Sequence, residues 1–220
     1  MNAFDAFFQL VGSATLQTLA MVALSTTFSL ALGFPLGILL CVTDPTGIAP
    51  RPALNQVLSR VVNVLRSFPF IILMILLFPL SRVIVGTSIG TVATIVPLSV
   101  AAAPFVARII ETALKEVDPG VIQAARAMGS RNSQIVLKVM LPEALPSLAS
   151  GVTLTIINLI GYSAMAGAIG GGGLGDLAIR YGYQRFRTDI MIAAVVIILV
   201  LVEVIQFAGS RISGRLIAKR

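Results

Sequence analysis

Long apolar runs separated by short polar connections dominate the chain, and a bilayer-spanning helix needs about 20 mostly apolar residues. Five segments meet that length, at 16–42, 57–80, 88–110, 145–168 and 189–208. The first is softened by Thr26, Thr27, Gly33, Pro35 and Gly37, small or polar positions that permit close helix contact. A turn is expected at Asp44-Pro45-Thr46-Gly47. The second run is interrupted by Arg60 and Arg66 and contains Pro69 and Pro79, so it is expected to enter the bilayer obliquely. The fourth ends in AIGGGGLGDL, which reads as a flexible turn at the outer surface. This pattern predicts an all-α polytopic membrane protein, a single transmembrane domain over 1–220.

One long polar segment, 111–142, interrupts the apolar pattern. Asp118 can accept hydrogen bonds from free N–H groups at a helix start, and Pro119 suits the first helical position because its missing N–H is not needed there. A short helix is therefore predicted from Pro119 to about Met128. Gly129 can end it in the left-handed conformation, and Ser130 or Asn132 can cap a second helix that Pro142 stops. Ala124, Ala125 and Ala127 give the first helix a surface that a partner's backbone can approach closely, which suits docking into a groove.

With 57% hydrophobic and 11% charged residues, the chain is far more apolar than a soluble domain, which averages roughly a quarter charged residues. A net charge of +7 and a pI near 10.5 would suggest nucleic acid in a polar chain, but these cations flank apolar runs and form no patch with interleaved aromatics. They act as topology signals. Placing the N-terminus outside assigns Arg51, Arg60, Arg66, Arg108, Lys115, Arg126, Arg131, Lys138, Arg211, Arg215, Lys219 and Arg220 to the inner side. Only Arg82, Arg180, Arg185 and Arg187 then fall outside. Twelve against four matches the enrichment of cations in cytoplasmic loops and puts 111–142 in the cytoplasm. Asp5, with no Lys or Arg before the first apolar run, argues against a cleaved secretory signal.

The residue inventory argues against catalysis. The chain has no histidine, a single cysteine (Cys41) and no paired carboxylates in a polar segment, so neither a catalytic group nor a metal site is expected. No GxxxxGK[ST] loop is present, so any ATP hydrolysis that drives this chain would have to come from another chain. Gly170, Gly172 and Gly175 satisfy GxGxxG but follow an apolar helix, whereas a dinucleotide site needs a preceding strand. Thr155, Asn158, Tyr162 and Met165, at spacings of three, four and three, share one helix face that should point inward. They line either an interhelical packing surface or a translocation path. In the second case Tyr162 and Met165, flanked by Ser163, form a closable constriction. Glu203 lies inside the last apolar run and is read as paired with an Arg near a helix end. The alternative is a proton-coupled secondary carrier or channel that uses Glu203 as its relay.

Gln123-Ala124-Ala125, three residues, Gly129, nine residues, then Val139-Met140-Leu141-Pro142 resembles the EAA loop of ABC importer permeases, with Gln123 for Glu and Val139 for Ile. In that resemblance Gln123, Ala124, Ala125, Arg126, Met128, Gly129, Val139, Leu141 and Pro142 belong to the loop that couples to the ATPase. The runs RSFPFIILM (66–74), GYSAMAGAIGGGGLGDLAIRYGYQRF (161–186) and IQFAGSRI (205–212) are similar to the membrane subunit of the bacterial methionine-uptake ABC importers. The resemblance implies two copies of this chain in the bacterial inner membrane, two cytoplasmic ATPase subunits and an extracytoplasmic binding protein. It also implies D- or L-methionine as solute and no cofactor of the chain's own. A homodimer is expected on physical grounds too, because one polar stripe cannot enclose a solute path whereas two facing stripes can.

Overall fold

The computed structural model describes residues 3–218, so Lys219 and Arg220 of the expected inner set lie outside the described residues. The first helix, α1 (Ala3–Thr43), starts earlier than expected and has 41 residues, about 60 Å at 1.5 Å per residue. It packs chiefly on α4 (Thr91–Lys115). Gly33 and Gly37 make that contact close. A Cβ at Gly33 would sit 2.6 Å from Val106 Cβ, and one at Gly37 would sit 2.6 Å from the Ala107 carbonyl oxygen. Small residues four apart let two helix backbones approach in this way within a membrane. The helix α4 is central, with 67% of its most apolar stretch buried, whereas α9 (Thr188–Ile217) is peripheral with 11%.

The expected span 57–80 is divided between α2 (Pro52–Ser67) and α3 (Phe70–Val85), which meet at 106°. Pro69 explains the break, since its ring drives Phe68 out of helical geometry, here to φ −69° and ψ 134°. Hydropathy runs on across this point although the helix does not. Among the described residues four helices are long and apolar enough to cross a membrane, or five if the bent pair counts as one span.

After α4 come α5 (Pro119–Ala127) and α6 (Asn132–Ile135), then a π-helical turn, Val136–Met140, which leads without interruption into α7 (Leu141–Gly167). Pro142 therefore does not stop the second loop helix. In α geometry its ring would clash with the carbonyl four residues earlier, and the wider π turn moves that carbonyl away. The Leu141 N–H bonds back to the Val136 carbonyl, five residues earlier. Nor do Ser130 or Asn132 cap α6. The capping position is Arg131, whose N–H donates to Gln134 Oε1 at 2.9 Å.

The glycine run is not a flexible turn. Gly171, Gly173 and Gly175 are buried, and α8 (Gly173–Asp176), continued by the π-helical Leu177–Tyr183, folds back on the bundle. The α8 N–H groups of Gly173 and Leu174 donate to Gln17 Oε1 and Thr18 Oγ1 of α1, each at 2.9 Å. The Gly90 N–H reaches the Gly170 carbonyl at 3.1 Å. Gln17, Gly90 and the glycine run thus share one end of the bundle. The opposite end holds the 44–51 turn, α5 and the end of α4, tied by Lys115 to Asp44 and Arg126 to Ile48.

Candidate coupling loop and translocation face

Local chemistry builds α5. The Gly120 N–H donates to Asp118 Oδ1 at 2.6 Å, and Pro119 occupies the first position. At the other end the Ser130 N–H reaches the Ala125 carbonyl at 3.1 Å and the Gly129 N–H reaches Arg126 at 2.9 Å. That is the Schellman pair, and it needs the φ of +80° that Gly129 adopts.

Ala125 faces inward, 3% exposed, onto an apolar cluster that includes Leu114, Ile135, Val136 and Met140. Gln123, Ala124 and Met128 are exposed, and Val139 and Leu141 pack at the edge of that cluster while Pro142 is exposed. The outward face of α5 is small and apolar, formed by Val121, Ala124 and Met128. Arg126 is turned sideways instead, its Nη2 donating to the Ile48 carbonyl at 2.5 Å.

The root of the loop is ionic. Lys115 Nζ bonds Asp44 at 2.7 Å and Glu111 at 2.8 Å, and Arg108 bonds the other Glu111 oxygen at 2.5 Å. Arg108 also reaches Asn63 Oδ1 and the Ser59 carbonyl of α2, so Glu111, 5% exposed, sits in a fully paired network. The hydrogen bond from Lys115, helped by those from Thr46, holds the Asp44 carboxyl at about 2, below its ordinary 3.8. These contacts bind α2, α4 and the turn after α1 into one unit, to which the Arg126–Ile48 bond adds α5.

On α7, the four residues of the expected stripe divide. Thr155, 1% exposed, donates to the Gly151 carbonyl at 2.9 Å, and Ser163, 2% exposed, donates to Ile160 at 2.7 Å. Their hydroxyls are satisfied by their own helix. Tyr162 stacks on Phe70 of α3, centroids 4.3 Å apart and planes 6° from parallel. Asn158 and Met165 are exposed and align with Leu154 and Gly161, also exposed, at spacings of four, three and four. The spacing of Leu154 and Gly161 in the sequence already carried that signal, but their side chains offered no chemistry to notice. The expected partner of Glu203 is absent: it is exposed on α9 and makes no ion pair among the described residues, while Arg211 stacks on Phe207. No group of three or more His, Cys, Asp or Glu residues that could hold a metal ion occurs among the described residues.

Residues 33–217 match the family described as binding-protein-dependent transport system inner membrane component. The chain is 51% identical over 203 residues to the probable D-methionine transport system permease protein MetI of Vibrio cholerae serotype O1, covering 92% of this chain and 90% of that one. It is 47% identical over 176 residues to the methionine import system permease protein MetP of Bacillus subtilis, covering 80% and 79%. Among solved structures it is similar to a chain of the MetNI methionine ABC transporter in an inward-facing conformation, with a TM-score of 0.95, 48% identity and 98% and 99% coverage.

Proposed function

The chain belongs to the family of binding-protein-dependent transport system inner membrane components, and from that premise we propose that it is the permease subunit of an ATP-driven methionine importer. It is a multi-pass protein of the inner membrane. Two copies form the path, an external binding protein delivers D- or L-methionine, and two cytoplasmic ATPase subunits supply the work. The chain itself is not the enzyme.

The observation that carries this reading is the build of α5. Its outward face is small and apolar, it is capped at both ends, and it joins α7 through a helix without a break from Asn132 to Gly167. A groove on the ATPase accepts that face. When ATP draws the two ATPase subunits together, the docked α5 helices follow, and each α6–α7 rod swings as a lever. The Arg126–Ile48 and Lys115–Asp44 contacts carry the same displacement to α1 and α4. The dimer passes from inward-open to outward-open, receives solute, and resets on hydrolysis. The exposed α7 line of Leu154, Asn158, Gly161 and Met165 supports a two-fold seam along the path, with Tyr162, Ser163 and Thr155 behind it.

Orientation with the N-terminus outside rests on charge. The inner-set cations Arg51, Lys115, Arg126 and Arg131 lie at the α5 end, whereas Arg180, Arg185 and Arg187 follow the glycine run at the other. The carrier reading has no support, because Glu203 faces away from the bundle on its most peripheral helix.

The test is reconstitution of the chain with its ATPase and binding protein in proteoliposomes, followed by a screen of labelled amino acids. ATP-dependent uptake of D- or L-methionine above all others is expected. Uptake of equal size without the ATPase would overturn the importer mechanism, and preference for another amino acid would overturn the substrate.

A further inference from the structure

Two cavities meet at the bend between α2 and α3. The larger, of about 470 Å³, lies between α4 and α7 and is lined by Glu116, Ser147, Ser150 and Leu154. The smaller, of about 270 Å³, is lined by Phe68, Phe70, Leu73 and Tyr162. Arg66 and Phe105 line both. Leu154 connects the pair to the exposed seam of α7, so on the reading above they open toward the translocation path.

Arg66 and Arg108 both line the larger cavity, but they differ in availability. Arg108 is taken up by Glu111, Asn63 and the Ser59 carbonyl. The Arg66 side chain forms no hydrogen bond, ion pair or ring contact among the described residues. A free guanidinium offers a planar fork for a carboxylate. Glu116, held by a bond from Ser147 Oγ at 2.5 Å, presents negative charge in the larger cavity. The rings of Phe68, Phe70, Phe105 and Tyr162 line the smaller cavity beside the polar end of Arg66, and a flexible unbranched or thioether side chain suits such an irregular gap.

We propose that this junction is a solute way-station inside the permease, where Arg66 holds the carboxylate of a free α-amino acid, Glu116 faces its ammonium group, and Phe70, Phe105 and Tyr162 enclose its apolar side chain. The site rests on the importer reading for its ligand. It adds selection by the membrane subunit itself, requiring a free carboxylate and a long uncharged side chain.

The probe is labelled L-methionine, bound at equilibrium to the full chain in lipid nanodiscs without other subunits. Saturable binding is expected, with methionine competing and methioninol, which lacks the carboxylate, failing to compete. Removing a charge-assisted hydrogen bond predicts roughly 10- to 100-fold weaker binding in Arg66→Gln. Arg66→Lys, which keeps the charge and loses the fork, should fall between the two, and Arg211→Gln should match wild type. Absence of saturable binding, equal binding by Arg66→Gln, or competition by methioninol would overturn the proposal. Uptake by the assembled transporter is measured alongside: ATP-dependent methionine import combined with a failed binding test leaves the importer reading standing and removes only the way-station.

Discussion

Gly209 of α9 and Thr153 of α7 lie so close that a Cβ at position 209 would come within 2.7 Å of the threonine Cβ and overlap its hydroxyl and methyl groups. The peripheral helix is held there and by the Ser213 hydroxyl, which donates to the Pro146 carbonyl at 3.1 Å and accepts from Ser150 at 2.9 Å. Gly209→Leu forces the helices apart, and overpacking of this kind costs about 1–3 kcal/mol. Thermal unfolding in detergent should show a clear fall in midpoint. Gly161→Ala is the contrast, since a Cβ there meets nothing within 4 Å in this chain. It should hold or raise the monomer's midpoint, since alanine favours a helix interior over glycine; a comparable fall in both variants would show that close apposition is not what matters at 209.

Gly129 sits at φ +80° with open space around its missing side chain, so a substitution there strains the backbone without a clash. A left-handed L-residue costs roughly 1–2 kcal/mol, less for Asn, which visits that region more readily. Gly129→Leu should therefore unseat the end of α5 and lower uptake per ATP hydrolysed, while Gly129→Asn retains most of it. If Gly129→Leu keeps transport and hydrolysis coupled at normal rates, α5 is not the docking element.

Asp44 links the 44–51 turn to α4 through Lys115 at 2.7 Å. Its carboxyl is held at about 2, so its contribution to stability is fully present above the unfolded value of about 3.9 and disappears as pH falls through about 2. Lys115 is 42% exposed, and solvent limits the pair to roughly 1 kcal/mol. Unfolding midpoints of wild type and Asp44→Asn should differ at neutral pH and converge between about pH 4 and 2. Parallel curves across that range would rule out the linkage.

The parts of this architecture that were legible in the sequence are those set by neighbours in the chain. Asp118-Pro119 and Gly129 delimit α5 because capping and left-handed turns are local chemistry. The same reasoning applied at Phe68-Pro69 would have divided the second run, yet continuous hydropathy conceals a bend that the bilayer pattern does not require. What stayed hidden depends on distant contacts. The glycine run looks mobile until Gln17 and Thr18 of α1 are seen to cap it. That the hydroxyls of Thr155 and Ser163 bond to the turn behind them is likewise visible only in the fold. Arg66 reads only as a topology signal, because its role depends on Phe105 and Tyr162 arriving from two other helices.

Glu203 is a carboxylate exposed on the most peripheral helix, where α9 presents Leu199, Val200 and Phe207 to its surroundings. A charged group in that setting is costly and is retained for function in many carriers. In an ATP-driven permease it carries no proton. Glu203→Gln should leave ATP-driven methionine uptake at the wild-type rate and its pH dependence unaltered. A fall to background would instead make Glu203 the relay of a proton-coupled carrier.

Pro142 lies where the phase between α5 and α7 is set. The π turn at Val136–Met140 inserts one extra residue relative to α geometry, and about 100° of rotation per residue separates the faces on either side of it. With Pro142→Ala the ring no longer opposes an α-helical turn, and the regained N–H favours one. Relaxation of the turn would rotate α6 and α5 relative to α7 while leaving the continuous rod intact. Unfolding stability should hold or rise, because a helix breaker has been removed. Uptake per ATP should fall, because the docked face and the α7 seam no longer share the phase the assembly needs. A variant with unchanged stability and unchanged coupling would mean that the π turn persists without the proline or that its phase does not matter. Hydrogen exchange at the Leu141 amide, which bonds to Val136 across the turn, distinguishes these outcomes.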